Sequence, residues 1–385
     1  MKDGSNEQVR MLTDLQLSVR DVTRSYVARE ISPYIQQWES AGEVPEKVWR
    51  ELGEQGFFGL AVDPDFGGAG AGVTAWALMI EELAQGDCAI ANQVGGTNFP
   101  FGSKLAELGT PWQQEEFLKP AVAGEYYISL LLSEAHAGSD LSQVRTKATR
   151  RDGGWVINGE KVWITGGASS GAGILLATTD PDAGARGLTL FLVRPDMPGY
   201  NVVRREPKMG HRVIDICQIS LDDLELTDDH VLGEVGTGYR TILDGLDTSR
   251  IGVAAQSVGV AQRAFDLALD YAKERATFGR PIFQHQAIGF KLAEMATSIE
   301  VARQMYLRAA ALKESGARSM RESAMAKLFA SEMAESVCSD AVQIFGGAGF
   351  AGGGMVEKLY RDQRILQIYE GTSEVLKMLI HRELA

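Results

Sequence analysis

Cysteine is scarce in this 385-residue chain: Cys88, Cys217 and Cys338 are the only three, spaced too far apart for a metal or redox pair. A disulfide scaffold is thereby excluded, a reducing compartment is implied, and each thiol reads as a small buried hydrophobe. Positive charge is also in deficit. The 38 basic residues face 51 acidic ones, a net charge of −13, so no general field attracts nucleic acid or an anionic membrane. An anionic ligand needs a local cationic pocket instead. No apolar run is long enough to span a bilayer. The opening run Met1-Lys-Asp-Gly-Ser-Asn-Glu-Gln8 resembles neither a secretory leader nor an Arg-rich transit peptide, so the expected compartment is cytoplasmic.

The length suggests two or three domains with ample buried volume. Three textures follow one another, with no repeat or low-complexity linker between them. Residues 1–125 read as helices: an amphipathic pattern from Asp14 to Trp38, a segment opened by Pro45 and ending near Gly56, and a further start at Gly109-Thr-Pro111. Residues 126–234 switch to period two with recurrent turn signals, which predicts an antiparallel β domain. Within Trp155–Thr165, Asn158-Gly159 predicts a type I′ hairpin; Leu188–Val193 and Ile216–Leu221 read as further strands. Residues 235–385 return to helices, with Ile251, Val258, Phe265 and Ala272 recurring at sevens as in a bundle. The expected class is α+β, with a helical domain, a β domain and a C-terminal helical bundle in that order.

One carboxylate stands out. Glu370 lies in Ile368-Tyr-Glu-Gly-Thr-Ser-Glu-Val375, an apolar run followed by glycine and hydroxyl residues. An enclosed carboxylate has a raised pKa and suits removal of a proton from carbon. The same residues also read as a plain helix start with Thr372 or Ser373 as N-cap, and the run alone leaves both readings open. Gly347-Ala-Gly-Phe-Ala-Gly352 matches the dinucleotide fingerprint only formally. It follows a helical pattern, Ala334 to Phe345, instead of a strand, which excludes the nicotinamide reading.

Four separated motifs, Leu132-Ser-Glu-Ala-His-Ala-Gly-Ser-Asp140, Trp163-Ile-Thr165, Glu274-Arg-Ala-Thr-Phe-Gly279, and Gln343-Ile-Phe-Gly-Gly-Ala-Gly-Phe350 with Tyr369-Glu-Gly-Thr372, resemble those of the flavin-dependent acyl-CoA dehydrogenase family in register over essentially the whole chain. The resemblance implies FAD as cofactor. Leu130, Leu132, Ser133, Gly138 and Ser139 would meet the polar edge of the flavin, with Ser139 also touching the pantetheine arm of the substrate. Trp163, Ile164 and Thr165 would cover its face. Arg275, Thr277, Phe278, His285 and Gln286 would reach a flavin held mainly by a neighbouring subunit, as would Gln343, Gly346 and Gly347. Thr372 and Glu374 complete the expected flavin contacts. Asp247, Arg250, Tyr369 and Gly371 would bind the acyl-CoA. No metal is expected, since His285 has no partner at ligand spacing.

By the same resemblance Glu370 is the catalytic base that removes the α-proton while a hydride leaves the β-carbon, giving a trans-2-enoyl-CoA; Ser249 occupies the position that holds the base in some branched-chain members. An electron-transfer flavoprotein is the implied electron acceptor and a homotetramer the implied assembly. An acyl-CoA oxidase, a dehydrogenase of carrier-protein thioesters, and a non-catalytic flavin-binding scaffold are the alternatives. Two departures from the family pattern stand out. The loop around Ser133-Glu-Ala-His136 lacks the usual proline, and His136 is read as facing solvent, with a ligand phosphate as its other possible partner. Phe99-Pro-Phe101, with Val94 to Gly96, lies where the acyl cavity is expected, unless it is a core aromatic cluster.

Overall fold

The computed structural model describes residues 12–384, so the polar opening run lies outside the described residues. The N-terminal part is helical as its capping signals require. Thr110 forms a capping box with Gln113 and is followed by Pro111 at the first helical position. Asp87 caps the Cys88–Gly96 helix by accepting from Ala89 N and Ile90 N, both at 2.9 Å.

The sheet comprises β1 (Ile128–Leu131), β2 (Lys147–Arg151), β3 (Gly154–Thr165), β4 (Ala172–Thr178), β5 (Leu188–Val193), β6 (Tyr200–Arg205), β7 (Ile216–Thr227) and β8 (Val231–Leu232), in the order β6-β7-β3-β2-β4-β5-β8. The expected all-antiparallel pattern is not what forms. β1 runs parallel to β4, pairing Ile128 with Ala172 and Leu131 with Leu175, and β2 meets β4 in parallel at Lys147 and Thr178. β1 enters from the helical domain and not through a hairpin, so nothing forces it to run against its neighbour.

The Asn158-Gly159 hairpin is likewise corrected: both residues lie inside the continuous strand β3, at a register shift against β7. The turn is Asp152-Gly153, where Gly153 has φ +80°. Asn158 bonds Asp223 across the strand pair, and a Cβ on Gly159 would stand 2.6 Å from Thr146 Oγ1. Close approach of a neighbouring chain, not turn geometry, is what demands glycine there.

The Gly238–Glu274 helix runs through the molecule and joins its parts. At one end Ile242 and Leu246 pack with Phe101 and Leu118 of the helical domain and Ile174 and Leu190 of the sheet. Along its length Ile251 and Val258 pack with Ile31, Ile80 and Tyr306. A buried charge cluster adds a second junction. Lys358 Nζ lies 2.6 Å from Asp87 Oδ2 and also bonds Asp362, whose other oxygen accepts the His211 N–H at 2.7 Å. The helical domain, the sheet domain and the C-terminal helices therefore meet at one lysine. All three cysteines are free and buried. The fingerprint-like glycines follow the Met320–Phe345 helix and not a strand.

Candidate active site

β1 ends at Leu131, and the chain then turns through Ser133 and Gly138. Glu134 fixes this loop: its carboxylate accepts from Arg145 N (2.7 Å), Thr146 N (2.9 Å), Thr146 Oγ1 (2.6 Å) and the buried Lys161 Nζ (2.8 Å). Burial raises the Glu134 pKa, but the Lys161 charge and these bonds outweigh it and hold the carboxyl below its usual range. Desolvation lowers Lys161 to about 8 against the pull of Glu134. His136 is tied to the same loop, with Nε2 3.1 Å from Gln143 O and 3.5 Å from Glu134. The side chain is nonetheless exposed, in line with the solvent reading, and it makes this bond within the loop at the surface.

Val162 N donates to Ser133 O at 3.0 Å, which docks the end of β3 beside this loop. Beyond it a second register shift, between Lys161 and Ile164, gives Trp163 φ +62° and leaves its ring 63% exposed. The bulge re-aims the indole out of the sheet. A cavity of about 660 Å³ opens there, bordered by Ser133, Gly138, Ser139, Trp163 and Thr165 on the sheet side and by Arg250, Tyr369, Glu370, Gly371 and Thr372 on the helical side. An adjoining slot of about 200 Å³ is walled by Leu130, Leu132, Ile164 and Gln93.

Glu370 borders both. It occupies the turn before the Ser373–Arg382 helix, which Thr372 caps by accepting from Val375 N, so the helix-start reading holds at a residue that also lines the cavity. Its φ is +56°, a costly conformation for a side-chain-bearing residue. Two buried cations hold the turn: Arg250 Nε donates to Glu370 O at 3.3 Å and Lys327 Nζ to Gly371 O at 2.7 Å. Ser249 Oγ donates to Glu370 Oε2 at 2.7 Å. Burial raises the carboxyl pKa, and Ser249, Arg250 and Lys327 pull it back only in part. Desolvation drops Lys327 to about 7. The Tyr369 hydroxyl donates to Gln256 Oε1.

The sequence expectation and the cavity agree unevenly. Asp247 does not reach the wall: it is buried behind Arg250, accepting from Ser323 Oγ at 2.5 Å, so its expected substrate contact is replaced by a supporting one. Thr277, bonded to His285, belongs with Arg275, Phe278 and Gln286 to a surface segment outside the cavity, where Phe278 is 97% exposed at φ +50°. Gln343, Gly346 and Gly347 are exposed too, as is Glu374. Lys327, Gln93 and His211 were not expected. His211 lines the cavity with φ +52° and an Nε2 that finds no partner among the described residues. A lysine inside a helical run carries no signal of its own, and neither does a lone histidine.

Three family descriptions match the chain end to end: "Acyl-CoA dehydrogenase, N-terminal domain" at residues 13–125, the middle domain at 129–224 and the C-terminal domain at 236–385. The chain belongs to the acyl-CoA dehydrogenase family. An acyl-CoA dehydrogenase of Bacillus subtilis is 35% identical over 97% of this chain and 98% of its own. A 3-(aryl)acrylate reductase of Clostridium sporogenes is 37% identical over 94% and 96%. The solved butyryl-CoA dehydrogenase of Megasphaera elsdenii superposes with a TM-score of 0.94 at 34% identity, covering 97% of this chain and 98% of that one.

The protein is thus a flavin-dependent oxidoreductase with FAD as cofactor. The cavity fits that group. Among the described residues the hydroxyls of Ser133, Ser139 and Thr165 have no protein partner, although they border one opening with the Trp163 ring. Gln93 Nε2 is buried without a partner beside them. A Cβ on Gly138 would meet no atom within 4 Å, so this glycine leaves room for a ligand and not for the protein itself. Unpaired donors beside an aromatic face suit a planar heteroaromatic ring with a polar edge.

Proposed function

We propose that this chain, organised as domains 1–125, 126–234 and 235–385, dehydrogenates an acyl-CoA thioester between its α and β carbons, with Glu370 as base. The observation that carries this reading is a carboxylate of raised pKa at the junction of the two cavities, held by Ser249 and facing a wall of unpaired donors. Bound FAD supplies a two-electron acceptor for the β-hydrogen. Everything else falls to the protein. Glu370 takes the α-proton on its carboxylate, and its partial burial keeps the carboxyl basic enough to do so. The Arg250 and Lys327 bonds fix the turn so that the carboxylate keeps its aim. Ser133, Ser139, Trp163 and Thr165 position the ring, with Leu130, Leu132 and Ile164 closing the slot around it. The enclosed walls exclude water from the reacting carbons.

Arg275, Phe278, Gln286, Gln343, Gly346 and Gly347 serve, in this reading, the flavin of a second copy. The exposed rings of Phe278 and Phe350 support burial of that surface in a homotetramer. The product is a trans-2-enoyl-CoA of fatty-acid metabolism, and the electrons pass to an electron-transfer flavoprotein in the cytoplasm.

Anaerobic bleaching of the purified holoenzyme by acyl-CoA tests the reading. Bleaching by CoA thioesters with slow reoxidation in air is expected. Fast reoxidation would make the protein an oxidase, bleaching only by carrier-protein thioesters would change the substrate, and no bleaching by any thioester would refute dehydrogenation.

A further inference from the structure

Glu370 borders a third void, much smaller than the other two, at about 30 Å³. Its lining includes Trp76, Ile80, Phe99, Gly252, Val253 and Ser249. We propose that this small void receives the acyl chain beyond the β-carbon, that Trp76 is its floor, and that the substrate is therefore a short, uncharged acyl thioester. The proposal deepens the dehydrogenase reading and rests on it.

The argument runs from position to size to charge. The α-carbon must stand at the Glu370 carboxylate, so the remaining chain needs an apolar space that also touches Glu370, which this void provides. A space of 30 Å³ admits about two methyl-sized groups. With the carbonyl, α and β carbons placed before it, the acyl chain has about four or five carbons. Trp76 closes the end. It is 1% exposed and meets Phe99 edge to face, with ring centroids 4.9 Å apart. The indole also lies close against the long helix at Gly252, where a Cβ would stand 2.4 Å from the ring, so the ring has little room to move on that side. Its Nε1–H finds no partner among the described residues, so the tryptophan occupies this place through bulk and not through a hydrogen bond.

Among the described residues no lysine, arginine or histidine lines the void, and the amide of Gln256 is engaged by Cys88 O and the Tyr369 hydroxyl. A terminal carboxylate on the acyl group would be buried without a counter-charge. Of the Phe99–Phe101 segment only Phe99 borders the void, while Phe101 belongs to the core around the sheet. Trp76 was not singled out in the sequence because a lone tryptophan in an apolar helix reads as core.

Two measurements on the FAD-loaded protein test this. In the first, the affinity of wild type for 2-enoyl-CoA thioesters of four and eight carbons, and for glutaryl-CoA, is read from the flavin spectrum. This needs no turnover, so it answers independently of whether the protein dehydrogenates anything. The four-carbon ligand should bind at least about tenfold more tightly than the other two, because one misfitted methylene in an apolar pocket already changes discrimination about 10- to 200-fold. Equal binding of four and eight carbons, or tight binding of glutaryl-CoA, overturns the proposal. In the second, Trp76→Leu should shift preference toward eight carbons by about tenfold or more, with Trp76→Phe moving it partway if the smaller residue unfolds the helix. A folded, FAD-loaded variant with unchanged chain-length order removes Trp76 from the role. Absence of bleaching with the chain-length order of binding intact would refute dehydrogenation and support the pocket.

Discussion

Lys358 carries the most consequential stability prediction. Its ammonium is 2% exposed and pairs with Asp87 and Asp362, both fully buried, with Glu39 Oε2 a further 4.0 Å away. Lys358→Met keeps the length of the side chain but leaves two buried carboxylates without their shared cation. Removing one partner of a buried ion pair costs roughly 3–5 kcal/mol, because the orphaned charge remains desolvated. The loss here belongs at the upper end, with two carboxylates stranded, and it is a large fraction of the roughly 5–15 kcal/mol that a folded domain has in all. Relief is expected in one double variant. Lys358→Met/Asp362→Asn removes a stranded charge and should recover at least about 1 kcal/mol relative to additivity. Urea unfolding of the holoenzyme at fixed FAD, followed by circular dichroism with the slope checked for constancy, measures both. A loss below about 1 kcal/mol in Lys358→Met, or strict additivity in the double variant, would refute the view that this cluster joins the three domains.

Glu370→Gln should retain FAD with an unaltered visible spectrum and lose bleaching by more than a hundredfold, the lower range for loss of a positioned base; undiminished bleaching would move the base elsewhere. Ser249→Ala deletes a bond that favours the ionised Glu370, so the limb of the bleaching rate that rises with pH should move to higher pH, and an unmoved limb would count against the pair. The Lys327 ammonium is depressed from about 10.5 to about 7, so between those values the unfolded chain binds the extra proton and stability rises with pH. Lys327→Met should flatten that rise by up to roughly 1.4 kcal/mol per pH unit; stability curves of equal slope from pH 7 to 9 would contradict it. Gly159→Ala forces a methyl against Thr146 and should destabilise by about 1–3 kcal/mol, checked by urea unfolding, whereas Gly153→Ala, with nothing within 4 Å, should cost only its positive φ.

What could be read from the sequence was local. Pro111 after Thr110, Thr372 before an apolar helix and the sevenfold spacing from Ile251 to Ala272 are effects within a turn or two, and the helices they predict are present. The reading failed where distant chain decides. Asn158-Gly159 has the composition of a turn, but Gly159 answers to Thr146 just ahead of the neighbouring strand. The parallel β1–β4 pairing depends on how the chain leaves the helical domain. Asp247 looks like a surface ligand contact, yet helix packing turns it inward to Ser323. No composition signal announces φ +62° at Trp163, +52° at His211 or +56° at Glu370, all three lining one cavity. The tertiary structure imposes that strain.

The left-handed backbone at Glu370 has a consequence for laboratory evolution. Glycine at this position would relieve a strain of about 1–3 kcal/mol, and asparagine part of it, so the proposed base is a site where loss of function and gain of heat resistance point the same way. A library screened for thermal survival alone is expected to enrich Glu370→Gly among its survivors, and every round of such a screen needs a turnover filter to keep the enzyme an enzyme.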